Sequence, residues 1–149
     1  MKKIFMTGGA GFIGSAFVRL VLEETSDVEI INFDALTYAG NLDNLVGLDE
    51  SRHKFVHGDI RNREEVLNAL SDDCDAIFNF AAESHVDRSI HSADEFLTTN
   101  IIGTQVLLDA MRAKNVRRFV QVSTDEVMGT LPEDDNAFFT EDSPIQPNS

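Results

Sequence analysis

The sequence holds a single cysteine, Cys74, among 149 residues. That excludes an internal disulfide and any Cys-x-x-Cys metal site, and leaves the thiol as a small apolar filler near a helix end. Basic side chains are scarce too. The 12 Lys and Arg stand against 26 Asp and Glu, a formal net charge of -14. A surface of that sign repels phosphate backbones and anionic headgroups, so neither nucleic acid nor a membrane is an expected partner. No apolar run approaches the ~18 residues of a membrane span. Met1-Lys2-Lys3 leads straight into a strand without a signal-peptide core, so the expected location is the cytoplasm. No His, Cys or carboxylate cluster has metal-ligand spacing, and no metal is expected.

What is present is a 42% apolar composition in periodic segments, which predicts one globular domain over 1–149. The organising stretch is Thr7-Gly8-Gly9-Ala10-Gly11-Phe12-Ile13-Gly14. An apolar strand precedes it and a helical pattern follows. Gly8, Gly11 and Gly14 therefore belong to a tight strand-to-helix turn, where backbone N–H groups and the helix dipole can receive a pyrophosphate. A plain tight turn is the alternative reading of G-x-x-G-x-x-G. A second apolar run, residues 28–33, ends at Asp34, 20 residues beyond Gly14. An acid there binds a ribose diol and repels a 2′-phosphate. The expectation is a dinucleotide site that prefers NAD to NADP.

Residues 35–53 lose periodicity at Gly40, Asn41, Asn44 and Gly47, which predicts a functional loop or one with a short helix of its own. A third strand is expected at 54–57. Asn62 caps a helix to about residue 70, with Glu64 and Glu65 in its first turn. A fourth strand covers 75–82, a long amphipathic helix 93–114, and a fifth strand 117–123. This order implies right-handed βαβ crossovers, hence an α/β, Rossmann-like, doubly wound parallel sheet with helices on both faces. From 124 onward the sequence is acidic and turn-rich, with Pro132, Pro144 and Pro147. The expectation is a chain truncated before the later strands and the substrate-binding part.

Ligands of open α/β sheets bind beyond the carboxyl ends of the strands. Residues 8–14, 34–37, 59–60, 81–85 and 124–126 therefore converge on one edge. Asp59 reads either as a turn former or as an acceptor for an adenine amine, with Ile60 as an apolar wall. Glu83, Ser84, His85, Asp87 and Arg88 crowd one loop, as a solvated helix entry or as substrate contacts. His85 has a spare reading as a base or ligand, while His53, His57 and His91 read as ordinary loop and helix-end residues. Ser123-Thr124-Asp125-Glu126 offers paired carboxylates beside hydroxyls, suited to acid and base roles if their environments separate them. An acidic helix-capping turn is the other reading.

The glycine-rich stretch resembles the fingerprint of extended short-chain dehydrogenases/reductases. Asp34-Ala35-Leu36-Thr37-Tyr38-Ala39-Gly40-Asn41, Ala81-Ala82-Glu83-Ser84-His85-Val86-Asp87-Arg88-Ser89 and Ser123-Thr124-Asp125-Glu126-Val127 narrow the resemblance to the dTDP-glucose 4,6-dehydratase family, across the whole chain. The resemblance implies a lyase of deoxysugar biosynthesis that keeps NAD bound. Hydride leaves C4 of dTDP-glucose, water is eliminated across C5 and C6, and hydride returns to C6. Asp125 is implied as the acid for the C6 hydroxyl, Glu126 as the base at C5, and Thr124 and Ser84 as contacts near the C4 hydroxyl. Phe12, Ile13, Asp34, Ala35, Leu36, Thr37, Asp59, Ile60, Phe80, Ala81, Ala82, Ser84 and Thr99 are implied at the NAD site beside Gly8, Gly11 and Gly14. A homodimer is implied for the full-length enzyme.

Two departures stand out. Met128 follows Asp-Glu-Val where the family usually has tyrosine. The family's Tyr-x-x-x-Lys pair, which oxidises C4, is missing: the one tyrosine is Tyr38, and Leu42 stands four residues later. These 149 residues alone are expected not to turn over. A non-catalytic NAD-binding module and a sister nucleotide-sugar epimerase are the competing readings, the latter disfavoured by Asp125-Glu126.

Overall fold

Five short strands form one parallel sheet in the order β3-β2-β1-β4-β5, the inner ones apolar. They are β1 (Lys3–Thr7), β2 (Glu29–Asp34), β3 (His53–His57), β4 (Ala76–Asn79) and β5 (Arg118–Gln121). The structure, a computed structural model, describes residues 2–85, 93–131, 133 and 136–148. Phe5 lies at the centre of the sheet, opposite Ile31 of β2 and Ile77 of β4.

The two faces follow from the period of two along each strand. Ile4 and Met6, with Ile30 and Ala76, pack against Val18 and Leu22 of α1 (Phe12–Glu24). Phe5, Phe33 and Ile77 point the other way. They pack on Val66 of α2 (Arg63–Ala69) and on Leu107 and Ala110 of α3 (Thr104–Ala113). Cover on both faces explains why the inner strands read as near-continuous apolar runs. Each fully buried side chain of this size contributes about 1.5–3 kcal/mol. Cys74 is buried in the second cluster, as its sequence position implied. Burial there pushes its thiol up from the ordinary range.

Helix ends have identifiable partners. Asn62 caps α2 by accepting from the N–H groups of Glu64 and Glu65. Glu65 reaches back, accepting from the Asn62 side chain at 2.7 Å and from the Asp59 N–H at 2.9 Å. At the far end of α1 the Arg52 guanidinium donates to the carbonyls of Leu22 and Thr25 at 2.6 and 2.7 Å. The N-terminus of α1 is different: Gly11 is its N-cap, with no side-chain hydrogen bond and no acid in the first turn.

The long loop after β2 does carry a short helix, a 3-10 turn at Leu42–Leu45. The amphipathic stretch expected over 93–114 is not uniform. A helical turn at Asp94–Phe96 leads into a π-helical segment, Leu97–Gly103, and then α3. The widened turn ends where Gly103 touches the loop after β3, so closely that a Cβ on Gly103 would fall 2.6 Å from Ile60 Cδ1. Beyond β5 the described residues form one more 3-10 turn, Asp125–Met128. No helix among the described residues is long and apolar enough to cross a membrane.

Candidate functional site

Because every strand pairing is parallel, the loops after all five strands open on the same edge of the sheet. The glycine-rich turn sits at its middle, where the order passes from β1 to β4. The three glycines do different work. Gly8 holds φ at +71°, and a Cβ on it would lie 2.6 Å from the Ala81 N. A Cβ on Gly14 would collide with the Gly8 carbonyl oxygen. Gly11 has an ordinary φ of -77°, and a Cβ there would find only Gly8 O at 3.3 Å and Ala39 O at 3.9 Å. Backbone crowding thus belongs to Gly8 and Gly14, whereas Gly11 has room for a Cβ in close contact with the Gly8 carbonyl.

Asp34, only 8% exposed, closes this turn from the next strand. Its Oδ2 accepts from the Ala10 N–H at 2.9 Å, and its Oδ1 accepts from the Leu36 N–H at 2.8 Å. Both oxygens are fixed by backbone donors, and each retains a further lone pair for a diol. Leu36 adopts φ +49° to make its bond.

One strand over, Asp59 is held by Arg61. The Arg61 backbone N–H donates to Oδ1 at 2.8 Å, its Nε lies 3.0 Å from Oδ1 and 2.8 Å from Oδ2, and its Nη2 lies 2.5 Å from Oδ2. Burial pushes the Asp59 carboxyl up, but the hydrogen bonds and charge of Arg61 outweigh that and hold it below the ordinary range. From β4, the loop at Glu83 is clamped to the helical run. Asn100 Oδ1 accepts from the Glu83 N–H and Asn100 Nδ2 donates to the Glu83 carbonyl, both at 2.8 Å.

Together these loops enclose a cleft of about 270 Å³. Of the residues singled out from sequence, Gly8, Gly11, Asp34, Ala35, Thr37, Asp59, Ile60, Phe80, Ala81, Ala82, Glu83 and Thr99 line it. Phe12, Ile13, Gly14, Leu36 and Ser84 do not. Phe12 and Ile13 project from the start of α1 and are exposed, while Gly14 is buried under the turn. Sequence reasoning missed Tyr38, Arg61 and Glu95, which also line the cleft. The Asp59-x-Arg61 spacing was the available signal for the second of them.

Thr124, Asp125 and Glu126 lie exposed after β5, at the edge of the sheet and outside the cleft lining. The Thr124 hydroxyl accepts from the Glu126 N–H at 3.3 Å and so caps the 3-10 turn. Asp87, Arg88, His91 and Pro132 lie outside the described residues. His85 is exposed, and His53 is half-buried with its Nε2 3.2 Å from Asn32 Nδ2. Among the described residues no three His, Cys, Asp or Glu side chains are grouped to hold a metal ion.

The sequence model of the family described as GDP-mannose 4,6 dehydratase matches residues 5–149. The chain belongs to this family. Among its relatives, the low-salt glycan biosynthesis protein Agl12 of Haloferax volcanii is 53% identical over 147 residues, 98% of this chain and 46% of the relative. The dTDP-glucose 4,6-dehydratase of Streptomyces niveus is 47% identical over 152 residues, 99% of this chain and 44% of that enzyme. Among solved structures, the dTDP-glucose 4,6-dehydratase DesIV from Streptomyces venezuelae, crystallised with NAD bound, superposes with a TM-score of 0.88 at 48% identity. That match covers 98% of this chain and 46% of DesIV. This family member thus spans a little under half the length of the relatives it matches, and the resemblance read from its motifs is upheld.

Proposed function

We propose that this chain forms the NAD-holding part of a 4,6-dehydratase acting on a nucleotide sugar, dTDP-glucose. The observation that carries the reading is the Asp34 carboxylate, fixed by the Ala10 and Leu36 N–H groups at the mouth of the glycine-rich turn. It supports recognition of the adenosine ribose through its two hydroxyls and rejection of a 2′-phosphate by like charge. The uncapped start of α1 supports a pyrophosphate site, since its first N–H groups lack a side-chain partner and carry the positive end of the dipole. Gly8 and Gly14 leave no room for a Cβ, which keeps the backbone close to that position. The cleft is small against the roughly 300–1,000 Å³ of sites that enclose a whole ligand, which suits the adenosine half. There Asp59 accepts from the adenine amine, beside the apolar wall of Ile60.

NAD, when bound, supplies the acceptor and later the donor of a hydride. The chain's own residues handle protons. Asp125 protonates the departing C6 hydroxyl, Glu126 takes the C5 proton, and Thr124 and Ser84 hold the sugar near its C4 hydroxyl. Calorimetric titration of the chain with NAD and with NADP tests the reading. One charged hydrogen bond is worth about 1.5–3 kcal/mol, so NAD is expected to bind at least about tenfold more tightly. Equal affinities would remove Asp34 from the ribose.

A further inference from the structure

The Asp59–Arg61 pair has a geometry that a simple surface ion pair lacks. Two residues apart, the guanidinium covers both carboxylate oxygens through Nε and Nη2, and the Arg61 backbone N–H adds a third donor to Oδ1. A planar fork against a carboxylate fixes the rotation of that group as well as its position. The turn beneath it is fixed too. The Asp59 N–H donates to Glu65 Oε2 at 2.9 Å, and the Asn62 N–H donates to the Asp59 carbonyl at 2.9 Å. Asp59 and Arg61 both line the cleft. The hydrogen bond to Asp59, and after it the charges of Asp59, Glu95 and Glu83, favour the cationic form of Arg61.

We propose that Arg61 is a positioning residue for purine selection, turning the Asp59 carboxylate so that its remaining acceptor direction meets a 6-amino group in the cleft. This rests on the reading of Asp59 as the adenine contact. A carboxylate held this way accepts from the amine of adenine and opposes the 6-carbonyl of hypoxanthine, acceptor against acceptor. Without the guanidinium only the backbone N–H of residue 61 holds Oδ1, so Oδ2 loses its donors, turns and hydrates, and that discrimination fades. The role calls for a planar fork, which a lysine ammonium cannot reproduce.

The test compares NAD with nicotinamide hypoxanthine dinucleotide, in which a 6-carbonyl, with a hydrogen on N1, replaces the 6-amino group. Both are titrated calorimetrically into the wild-type chain and the Arg61→Ala, Arg61→Lys and Asp59→Asn variants, each checked for its fold by circular dichroism. Wild type is expected to prefer NAD by about tenfold or more, the worth of one charged hydrogen bond. Arg61→Ala and Arg61→Lys are both expected to bring the two affinities within about threefold, mainly by weakening NAD. A parallel loss of both ligands in Arg61→Ala would overturn the inference, as would an unchanged ratio in either Arg61 variant. A wild type that binds NAD, with Asp59→Asn keeping the wild-type ratio, would instead overturn the adenine contact on which it rests.

Discussion

Replacing Gly14 by alanine should damage the fold, while the same change at Gly11 should not. In α1, a Cβ on Gly14 would meet the Gly8 carbonyl oxygen, and would also fall 2.9 Å from the Gly9 Cα. Both neighbours are backbone, so relief requires α1 to lift from the sheet edge, loosening Val18 and Leu22 in their cluster. Overpacking of this kind costs about 1–3 kcal/mol, and a rigid backbone contact belongs at the upper end. Alanine returns about 1 kcal/mol over glycine inside a helix. The net expectation is a loss of about 2 kcal/mol, or about 4–8 °C in Tm for a chain of this size. At Gly11 a Cβ meets nothing closer than 3.3 Å, and φ is -77°. Gly11→Ala should stay within about 1 kcal/mol of wild type, in keeping with the modest cost of losing glycine at an N-cap. Thermal melts followed by circular dichroism, without ligand, measure both. A Gly14→Ala chain that melts with wild type, or a Gly11→Ala chain that falls as far, would contradict the clash assigned to Gly14.

Three further outcomes are expected. Gly11→Val should keep its melting temperature within a few degrees yet lose NAD binding by calorimetry; unchanged affinity would show that the turn is not the phosphate site. Hydrogen bonds from Ser51 and then Arg52 lower the Asp49 carboxyl to about 2. A depressed carboxyl stabilises the fold above its unfolded pKa of about 3.9, and that contribution disappears as pH falls towards about 2. Urea melts across that acid window should therefore show a shallower fall for Asp49→Asn than for wild type, and equal slopes would contradict the assignment. The chain mixed with NAD and dTDP-glucose should yield no 4-keto-6-deoxy product. Its one tyrosine has no lysine four residues on, and a missing general base costs about 10²–10⁴-fold; turnover would show that another residue supplies the base.

The sheet was legible because its inner strands are buried on both faces and separated by periodic helices, so that Phe5, Ile30 and Ile77 announce themselves by apolarity alone. Asn62 with Glu64 and Glu65 marked the start of α2 for the same local reasons that cap it in the structure. The π-helical segment Leu97–Gly103 was not legible. It repeats the apolar spacing of an α-helix, and its relation to Ile60 is a tertiary contact. The separate tasks of Gly8, Gly11 and Gly14 were hidden as well, because spacing does not reveal which Cα faces backbone and which faces space. Asp34 could be found from its place at the end of the second strand. For Arg61 the sequence offered only its spacing from Asp59, since the fork itself depends on side-chain geometry.

In the proposed reading, the cleft between the loops after β1, β2, β3 and β4 receives NAD. Backbone amide NMR on the 149-residue chain tests it most directly. On adding NAD, shifts should concentrate at Gly11 to Gly14, Asp34 to Thr37, Asp59 to Arg61, Ala81, Ala82 and Thr99, while α3 and the N-terminal ends of the strands stay still. Saturable binding whose shifts fall elsewhere, or no shift at all at millimolar NAD, would contradict the claim.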